Sequence, residues 1–247
     1  GLGAEFARQL AARGCDLILV ARRRDRLEAL ARDLSGVACE IVEADLATDA
    51  GVERVVSAIG GAGRLAYLVN NAGFGVRGMF AHSELGPHER MHRLHVLATV
   101  ALTHAAVQRM SALGHGAIIN VASVAGFALS AGSVSYNSTK HWMNVFSEGL
   151  WLELRMTGVP VRVQALCPGY TYSEFHDVAE MDRATVPKGL WMTAEFVVGE
   201  SLRGLERDEP FVIPDWRYRW FVRVSQWAPR WLRHRMAMAA GRRMKRV

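Results

Sequence analysis

Apolar positions along the chain follow two alternating patterns: short continuous runs, and longer stretches in which every third or fourth residue is apolar. Continuous runs are typical of strands buried in a parallel sheet, whereas the wider spacing is typical of amphipathic helices. Strands are predicted at 16–21, 39–45, 65–69, 117–121, 161–166 and 210–213, and helices at 1–14, 49–59, 87–113, from 135 onward and at 193–205. Regular alternation of strands and helices indicates an α/β fold.

One segment that joins a strand to a helix carries three candidate catalytic residues. The strand 117–121 leads to Ser123, and the helix that begins near residue 135 contains Tyr136 and Lys140. Because they are four residues apart, Tyr136 and Lys140 share one helix face, with a rise of roughly 6 Å between them. A free phenol has a pKa of about 10, and a nearby ammonium group lowers it toward the neutral range. The three side chains therefore suit proton transfer to or from a substrate oxygen that Ser123 orients.

The same spacing has an ordinary explanation. Tyrosine and lysine four residues apart occur by chance on many exposed helices, although this chain has only three lysines among its 30 Lys and Arg residues. The remaining motifs decide between the two interpretations.

Two turns have compositions typical of ligand-binding loops. Gly1 and Gly3 open the first predicted helix, where backbone amides can approach an anion closely. Asn70, Asn71, Ala72 and Gly73 follow the strand 65–69 and permit a tight turn beside a ligand. Each motif alone is also consistent with ordinary helix capping or an ordinary turn.

Three arginines, Arg22, Arg23 and Arg24, follow the strand 16–21 directly. In a dinucleotide-binding fold an acidic residue at this place binds the adenosine ribose, whereas arginine suits a 2′-phosphate. The alternative is a solvated start of the next helix, in which arginines pair with nearby acidic residues.

Composition and charge limit the class of protein. The 247 residues are enough for one large α/β domain. The three cysteines are scattered without metal-ligand spacing, which indicates a reducing, cytoplasmic location and no metal site. We recognise no signal peptide and no apolar run long enough to cross a bilayer. The net charge of +6 is concentrated at the end, because the chain has ten Lys or Arg and no Asp or Glu from Trp216 onward.

This charge change sets a boundary between a domain at 1–215 and an extension at 216–247. In the extension the aromatic and apolar residues Trp220, Phe221, Val224, Trp227 and Trp231 fall near one helical face, and Arg219, Arg223, Arg230 and Arg233 lie mostly on the other, with a break at Pro229. This pattern is typical of a helix at a membrane surface. Packing of the aromatic residues on the domain, or in a dimer, is an equal alternative. Nucleic acid ranks below both because no basic fold motif accompanies the arginines.

Together, the motifs resemble those of the short-chain dehydrogenase/reductase family. The shared residues are Gly1-Leu2-Gly3, Asp45, Asn70-Asn71-Ala72-Gly73, Ser123, Tyr136, Lys140 and Pro168-Gly169, in the family's order and spacing. The resemblance covers nearly all of residues 1–215. It implies a Rossmann-like, doubly wound parallel sheet in three α/β/α layers, here with a basic amphipathic C-terminal extension.

The resemblance also implies hydride transfer between NADP(H) and an alcohol or carbonyl compound. Tyr136 would be the general acid/base, Lys140 would bind the nicotinamide ribose and lower the pKa of Tyr136, and Ser123 would polarise the carbonyl. Besides Tyr136 and Lys140, the cofactor-binding residues would be Gly1, Leu2, Gly3, Arg22, Arg23, Asp45, Leu46, Asn71, Ala72, Gly73, Pro168, Gly169, Thr171 and Ser173. Arg22 falls where NADP-preferring members place a basic residue.

The sequence departs from the family pattern at two places. His95 stands where the family has an asparagine that holds a water molecule in a proton relay, and we expect it to substitute in part; a packed core residue is the alternative. No strand precedes Gly1, so we expect the sequence to lack the family's first strand.

We therefore expect an NADP(H)-dependent oxidoreductase, a homo-oligomer, acting on a lipophilic fatty-acyl, steroid-like or retinoid-like compound. The apolar residues Phe175, Met181, Leu190 and Trp191 in the irregular segment 174–192 favour such a substrate, although they can equally cover the core. The alternative is a catalytically weak NADPH-binding or scaffold protein at a membrane surface.

Overall fold

The computed structural model describes residues 1–173 and 186–244, the last five of these by backbone alone. Phe175 and Met181, two of the residues predicted to border a lipophilic substrate, lie outside the described residues.

Helices and strands alternate along the chain as predicted. The first half contains α1 (Leu2–Ala11), β1 (Leu17–Ala21), α2 (Arg24–Asp33), β2 (Cys39–Glu43), α3 (Asp49–Gly61) and β3 (Tyr67–Asn70). The second half contains α4 (Leu85–His92), α5 (Thr99–Leu113), β4 (Gly116–Val121), α6 (Val134–Thr157), β5 (Val161–Leu166), α7 (Ala194–Glu206), β6 (Phe211–Val212), α8 (Trp216–Trp227) and α9 (Arg230–Met244). Thr193 caps α7 as predicted, since its hydroxyl accepts a hydrogen bond from the Phe196 amide at 3.2 Å.

All paired strands run parallel, in two sections of sheet. β1 pairs with β2, and β3, β4, β5 and β6 form the second section in that order. Within the described residues, no strand pairing joins the two sections; β1 and β3 both line one cavity of about 1660 Å³. The predicted α/β fold with a parallel sheet is confirmed, and the sheet is divided between β1 and β3.

Helices cover both faces of the sheet. Adjacent strand residues point to opposite faces, and the neighbours Ile118 and Ile119 of β4 illustrate this, since both are fully buried in different clusters. Ile119 packs with Phe6 of α1 and Leu202 of α7, whereas Ile118 packs with Leu102 of α5. The result is the expected three-layer arrangement. β4 and β5, at its centre, contribute several of the largest fully buried side chains. No helix in the described part of the chain is long and apolar enough to cross a bilayer.

The long helix predicted at 87–113 begins earlier and is interrupted. It starts at Leu85, and the turn Arg93–Ala98 between α4 and α5 is π-helical. Single π-helical turns are uncommon and often mark functional sites. This one contains the fully buried His95.

A buried polar network fixes the two central strands to the helices behind them. Asn120 is fully buried; its Oδ1 accepts a hydrogen bond from Asn70 Nδ2 at 2.8 Å, and its Nδ2 donates to Ser147 Oγ at 2.9 Å. Asn70 Nδ2 also donates to Thr103 Oγ1 at 3.1 Å. The network therefore joins β3, β4, α5 and α6, which carry much of the site described below.

We predict that Asn120→Ala lowers the free energy of unfolding by about 2–4 kcal/mol, because it leaves the Asn70 amide and the Ser147 hydroxyl without this partner inside the protein. Asn144→Ala is the matched control. Asn144 is also buried, but its Nδ2 has no hydrogen-bond partner among the described residues and its Oδ1 accepts only a weak bond from Cys167 Sγ at 3.2 Å. Urea unfolding should show a clearly smaller loss for Asn144→Ala; equal losses would contradict the assigned role of the network.

Candidate active site

The candidate site lies where the parallel strands end. β1 ends at Ala21, β3 at Asn70, β4 at Val121 and β5 at Leu166, and the segments that follow these four strands line the cavity. The carboxyl ends of parallel strands meet at one edge of a sheet, which is where α/β proteins bind ligands. The predicted residues Ser123, Tyr136 and Lys140 all border this cavity.

Ser123 is held in place by the turn that follows β4. Its Oγ accepts a hydrogen bond from the Ala125 amide at 3.1 Å, which makes it the N-cap of a short 3₁₀ helix (Val124–Phe127). The side chain of Ser123 is also hydrogen-bonded to that of Tyr136. The structure therefore brings together two of the three residues that the sequence singled out.

Lys140 is buried beside them. Its Nζ donates a hydrogen bond of 2.7 Å to the carbonyl oxygen of Val121 and lies 5.9 Å from the centre of the Tyr136 ring. Burial lowers the pKa of Lys140 to about 8, with the nearby thiol of Cys167 acting in the opposite direction. At neutral pH the ammonium form therefore predominates.

Tyr136 holds its proton firmly. Burial raises the pKa of Tyr136 to about 12, and the hydrogen bond with Ser123 only partly offsets this. The family resemblance implies that Lys140 lowers this pKa, whereas in the structure burial raises it and the opposing contribution comes from Ser123. A phenol in this environment is a proton donor at neutral pH.

His95 uses both ring nitrogens in hydrogen bonds. Its Nε2 accepts from the Phe74 amide at 3.3 Å, and its Nδ1 lies 2.9 Å from Thr139 Oγ1. Because an amide can only donate, Nε2 carries no proton, and the neutral ring must carry its proton on Nδ1. That proton is donated to Thr139, whose hydroxyl in turn donates to the Tyr136 carbonyl oxygen at 2.9 Å.

This chain of bonds connects the Asn70–Gly73 turn to α6. Thr139 lies between Tyr136 and Lys140 on α6, so His95 braces the face that carries both. Burial, together with the charge of Lys140, holds the pKa of His95 well below its usual value. A Cβ atom on Gly73 would come within 2.8 Å of His95 Nε2, so the turn needs glycine there. The predicted relay role of His95 stays a prediction, and the geometry gives it a positioning role.

The cavity is also lined by charged residues that follow β1 and β2. Arg22 is exposed and lines the cavity, as does Arg23, whereas the guanidinium of Arg24 pairs with Glu28 at 2.9 Å. Asp45 also lines the cavity, and its carboxylate is close enough to Arg22 to be affected by the charge of the guanidinium. Although burial disfavours its charged form, a hydrogen bond from the Ala47 amide and the charges of Arg90 and Arg22 lower the pKa of Asp45.

Glycines line the middle of the cavity. Gly1 is the N-cap position of α1, no side chain forms a capping hydrogen bond at this helix end, and Gly1, Leu2 and Gly3 line the cavity. A Cβ atom on Gly3 would lie 2.6 Å from Asn71 Nδ2, so the start of α1 packs directly on the turn after β3. Helix N-termini of this kind bind phosphate through backbone amides. The predicted residues Leu46, Ala72, Pro168, Gly169, Thr171 and Ser173 line the same cavity.

Helix α8 closes one side of the cavity, which the sequence did not reveal. Tyr218 Oη accepts a hydrogen bond from the Tyr170 amide at 3.0 Å and donates one to the Leu190 carbonyl oxygen at 2.8 Å. A Cβ atom on Gly169 would come within 2.1 Å of the Tyr218 ring. Tyr218 and Phe221 both line the cavity, although the charge boundary placed them in a separate extension. In the sequence, the one indication that these two residues act together is their spacing of three, which places them on the same side of a helix.

Comparisons with known proteins agree with this geometry. Residues 1–184 match the family model described as short chain dehydrogenase. A sulfoacetaldehyde reductase of Chromohalobacter salexigens is 36% identical over 179 residues, which cover 71% of this chain and 70% of that protein. A short-chain dehydrogenase of Sphingobium yanoikuyae, solved in complex with NADPH, superposes with a TM-score of 0.82 at 38% identity over 89% of this chain and 87% of its own. A bulky-bulky ketone specific alcohol dehydrogenase of Comamonas testosteroni superposes with a TM-score of 0.78 at 30% identity, covering 92% and 88%.

The bonds of His95 predict a pH effect on stability. Because the pKa of His95 is lowered in the folded protein, the unfolded chain binds a proton at this residue as the pH falls through about 6.5 while the folded chain does not. Stability is therefore lost as the pH falls, by up to about 1.4 kcal/mol per pH unit from this residue.

Urea unfolding at pH 5 and pH 7 should show a smaller pH-dependent loss for His95→Gln than for the wild type. His104→Gln is the matched control, since His104 is exposed on α5, and it should keep the wild-type dependence. Identical pH dependence in all three proteins would show that His95 is not held neutral.

Proposed function

Because this chain belongs to the short-chain dehydrogenase family, whose members are oxidoreductases acting on CH–OH groups, we propose that it is an NADP(H)-dependent enzyme that interconverts a bulky, lipophilic alcohol and its ketone or aldehyde. The observation that carries the proposal is the cluster of Ser123, Tyr136 and buried Lys140 at the end of β4. The turns at Gly1–Gly3 and Asn71–Gly73 border the same cavity.

The chain's own residues supply the proton chemistry. When bound, the nicotinamide cofactor supplies or accepts the hydride at the carbonyl carbon. In the direction of reduction, Tyr136 donates its proton to the carbonyl oxygen, and the ammonium group of Lys140 stabilises the phenolate that remains. The hydroxyl of Ser123 donates a hydrogen bond to the same oxygen. The high pKa of Tyr136 suits the acid role at neutral pH.

The choice of NADP over NAD rests on the residues after β1. Arginine occupies positions 22 and 23, where an acidic residue would bind the ribose hydroxyls of NAD. A guanidinium group binds a phosphate through charge-assisted hydrogen bonds. The relative from Sphingobium yanoikuyae, which is described with NADPH, supports the same preference.

An apolar and aromatic substrate region supports the substrate class. Leu190, Tyr170 and Phe221 line the cavity near Gly169, and the ring of Trp191 lies 5.5 Å from that of Tyr170. Arg217 also lines the cavity, but its guanidinium pairs with Asp215 and the Gly189 carbonyl, so its charge is already compensated. The apolar and aromatic lining favours an uncharged substrate such as a bulky ketone over a small anionic aldehyde such as sulfoacetaldehyde. The cluster of Ser123, Tyr136 and Lys140 favours oxidoreduction over the scaffold role.

We predict that Tyr136→Phe lowers kcat for ketone reduction by about 10² to 10⁴-fold while cofactor binding is nearly unchanged, because only the transferable proton is lost. Tyr67→Phe removes a hydroxyl from β3 and should leave turnover at the wild-type value. NADPH oxidation should be followed with a bulky aryl ketone, acetaldehyde and sulfoacetaldehyde as alternative substrates.

In the wild type, kcat for reduction should fall as the pH rises through about 8, where Lys140 loses its charge.

Full turnover by Tyr136→Phe would rule out the mechanism, and reduction of sulfoacetaldehyde alone would rule out the substrate class.

We predict that Arg22→Asp weakens NADPH binding by roughly 10- to 100-fold and improves NADH binding, since it replaces a phosphate partner with an acceptor for ribose hydroxyls. Arg24→Asp makes the same charge change two residues later, at a side chain that pairs with Glu28, and should have little effect. Fluorescence titration with both cofactors measures this without turnover. Equal affinity of the wild type for the two cofactors would show that Arg22 is only a solvated residue at the start of α2.

A further inference from the structure

Helix α8 presents its apolar side chains to solvent. Tyr218 and Val222 are buried against the domain, and the opposite face carries Trp216, Trp220, Val224 and Trp227. With 100° between successive residues, these four fall within an arc of about 80°. They are 59%, 59%, 60% and 88% exposed. A helix on the surface of a soluble protein normally has the reverse arrangement, with polar residues outward.

Helix α9 also exposes apolar side chains. Trp231, Met236 and Met238 are 62%, 57% and 55% exposed. Large exposed apolar patches mark interaction sites. We call the exposed residues of α8 and α9 together the tryptophan surface.

Arginines without acidic partners flank the tryptophan surface. Arg223 lies beside Trp216 and Trp227 on the helix, and Arg230 and Arg233 begin α9; none of the three forms an ion pair among the described residues. The sequence has no Asp or Glu from Trp216 to Val247. Several arginines elsewhere in the chain do form ion pairs, as Arg13 does with Glu206.

We propose that the tryptophan surface binds the surface of an anionic lipid bilayer. Tryptophan places its apolar ring in the interfacial region while its indole N–H stays in contact with water, and arginine binds the negatively charged headgroups. A second copy of the chain fits less well. All charged residues of α8 and α9 are basic, so two copies facing each other would repel. Nucleic acid also fits less well, because the centre of the exposed arc is aromatic and the arginines lie at its border.

The position of α8 connects this surface to the site. The same helix lines the cavity with Tyr218 and Phe221, so a bilayer bound to its outer face lies next to the substrate region. This step rests on the proposed function, and it gives a lipophilic substrate a direct route from the bilayer. Binding of vesicles is measured without turnover, so failure of the two proposals can be distinguished.

Two pairs of substitutions test the surface and leave Tyr218 and Val222 in place. Trp220→Ser with Trp227→Ser removes the aromatic part, and Arg223→Glu with Arg230→Glu reverses two charges. The matched control combines Met156→Ser, 86% exposed on α6, with Arg32→Glu, exposed on α2. The full chain should be floated with vesicles of phosphatidylcholine alone and with 30% phosphatidylserine, at low and high salt.

We expect wild type and control to float only with the anionic vesicles, and less at high salt. The arginine pair should weaken binding at least about 25-fold, since each basic residue near the surface contributes about fivefold. The tryptophan pair should weaken it about tenfold or more. Circular dichroism checks that both variants are folded.

Three outcomes would overturn the proposal: wild type that ignores anionic vesicles at low salt, equal flotation of wild type and both variants, or a dimer in light scattering that the tryptophan pair converts to monomer while flotation is absent. Binding of a 20-base-pair DNA duplex as tight as vesicle binding, and unaffected by the tryptophan pair, would assign the surface to nucleic acid.

Discussion

The burial of one ammonium group, that of Lys140, is the constraint on which the site depends. An ammonium group removed from water needs an acceptor, and the acceptor is the carbonyl oxygen of Val121, the last residue of β4. This bond fixes α6 relative to the end of the strand and brings Tyr136 to Ser123. Gly126 makes the approach possible, because a Cβ atom there would lie 2.8 Å from the backbone of Lys140. The buried Asn120 network holds β4 and α6 together behind the same bond.

The π-helical turn performs a similar task from the opposite side. It places His95 between the turn after β3 and Thr139, so this cavity-lining turn and α6 are joined through one side chain. A neutral imidazole can do this because it is a donor at one nitrogen and an acceptor at the other. An asparagine side chain also offers both functions, which gives a physical reason why the two residue types can occupy related positions.

The sequence predicts the fold and the centre of the site because local patterns determine them. Apolar runs identify β1 to β6, and the spacing of Tyr136 and Lys140 on one helix follows from periodicity alone. Contacts between distant segments were not predictable. The contact of Tyr218 with Gly169 spans 49 residues, and the bonds of His95 depend on a helical turn whose irregular geometry leaves no pattern in the sequence.

In the tail, periodicity grouped the aromatic residues on one face but did not show which side chains are buried, and it placed Phe221, which lines the cavity, with the exposed tryptophans. The structure buries Tyr218 and Val222 and leaves Trp216, Trp220 and Trp227 exposed. The equal alternative, packing of these tryptophans on the domain, is therefore not what this fold adopts. A periodic pattern gives relative angles between side chains, and only tertiary contacts give the direction of the core.

One face of α8 lines the cavity and the other is exposed, so this helix can couple binding at the two places. Tyr218 holds the Tyr170 and Leu190 backbone on one side, and the opposite side is free to be bound. Any ligand of the outer face that shifts the helix changes the affinity of the cavity, and by reciprocity a molecule in the cavity changes the affinity of the outer face by the same factor. Binding of a molecule in the cavity and binding at the outer face of α8 would then be coupled equilibria.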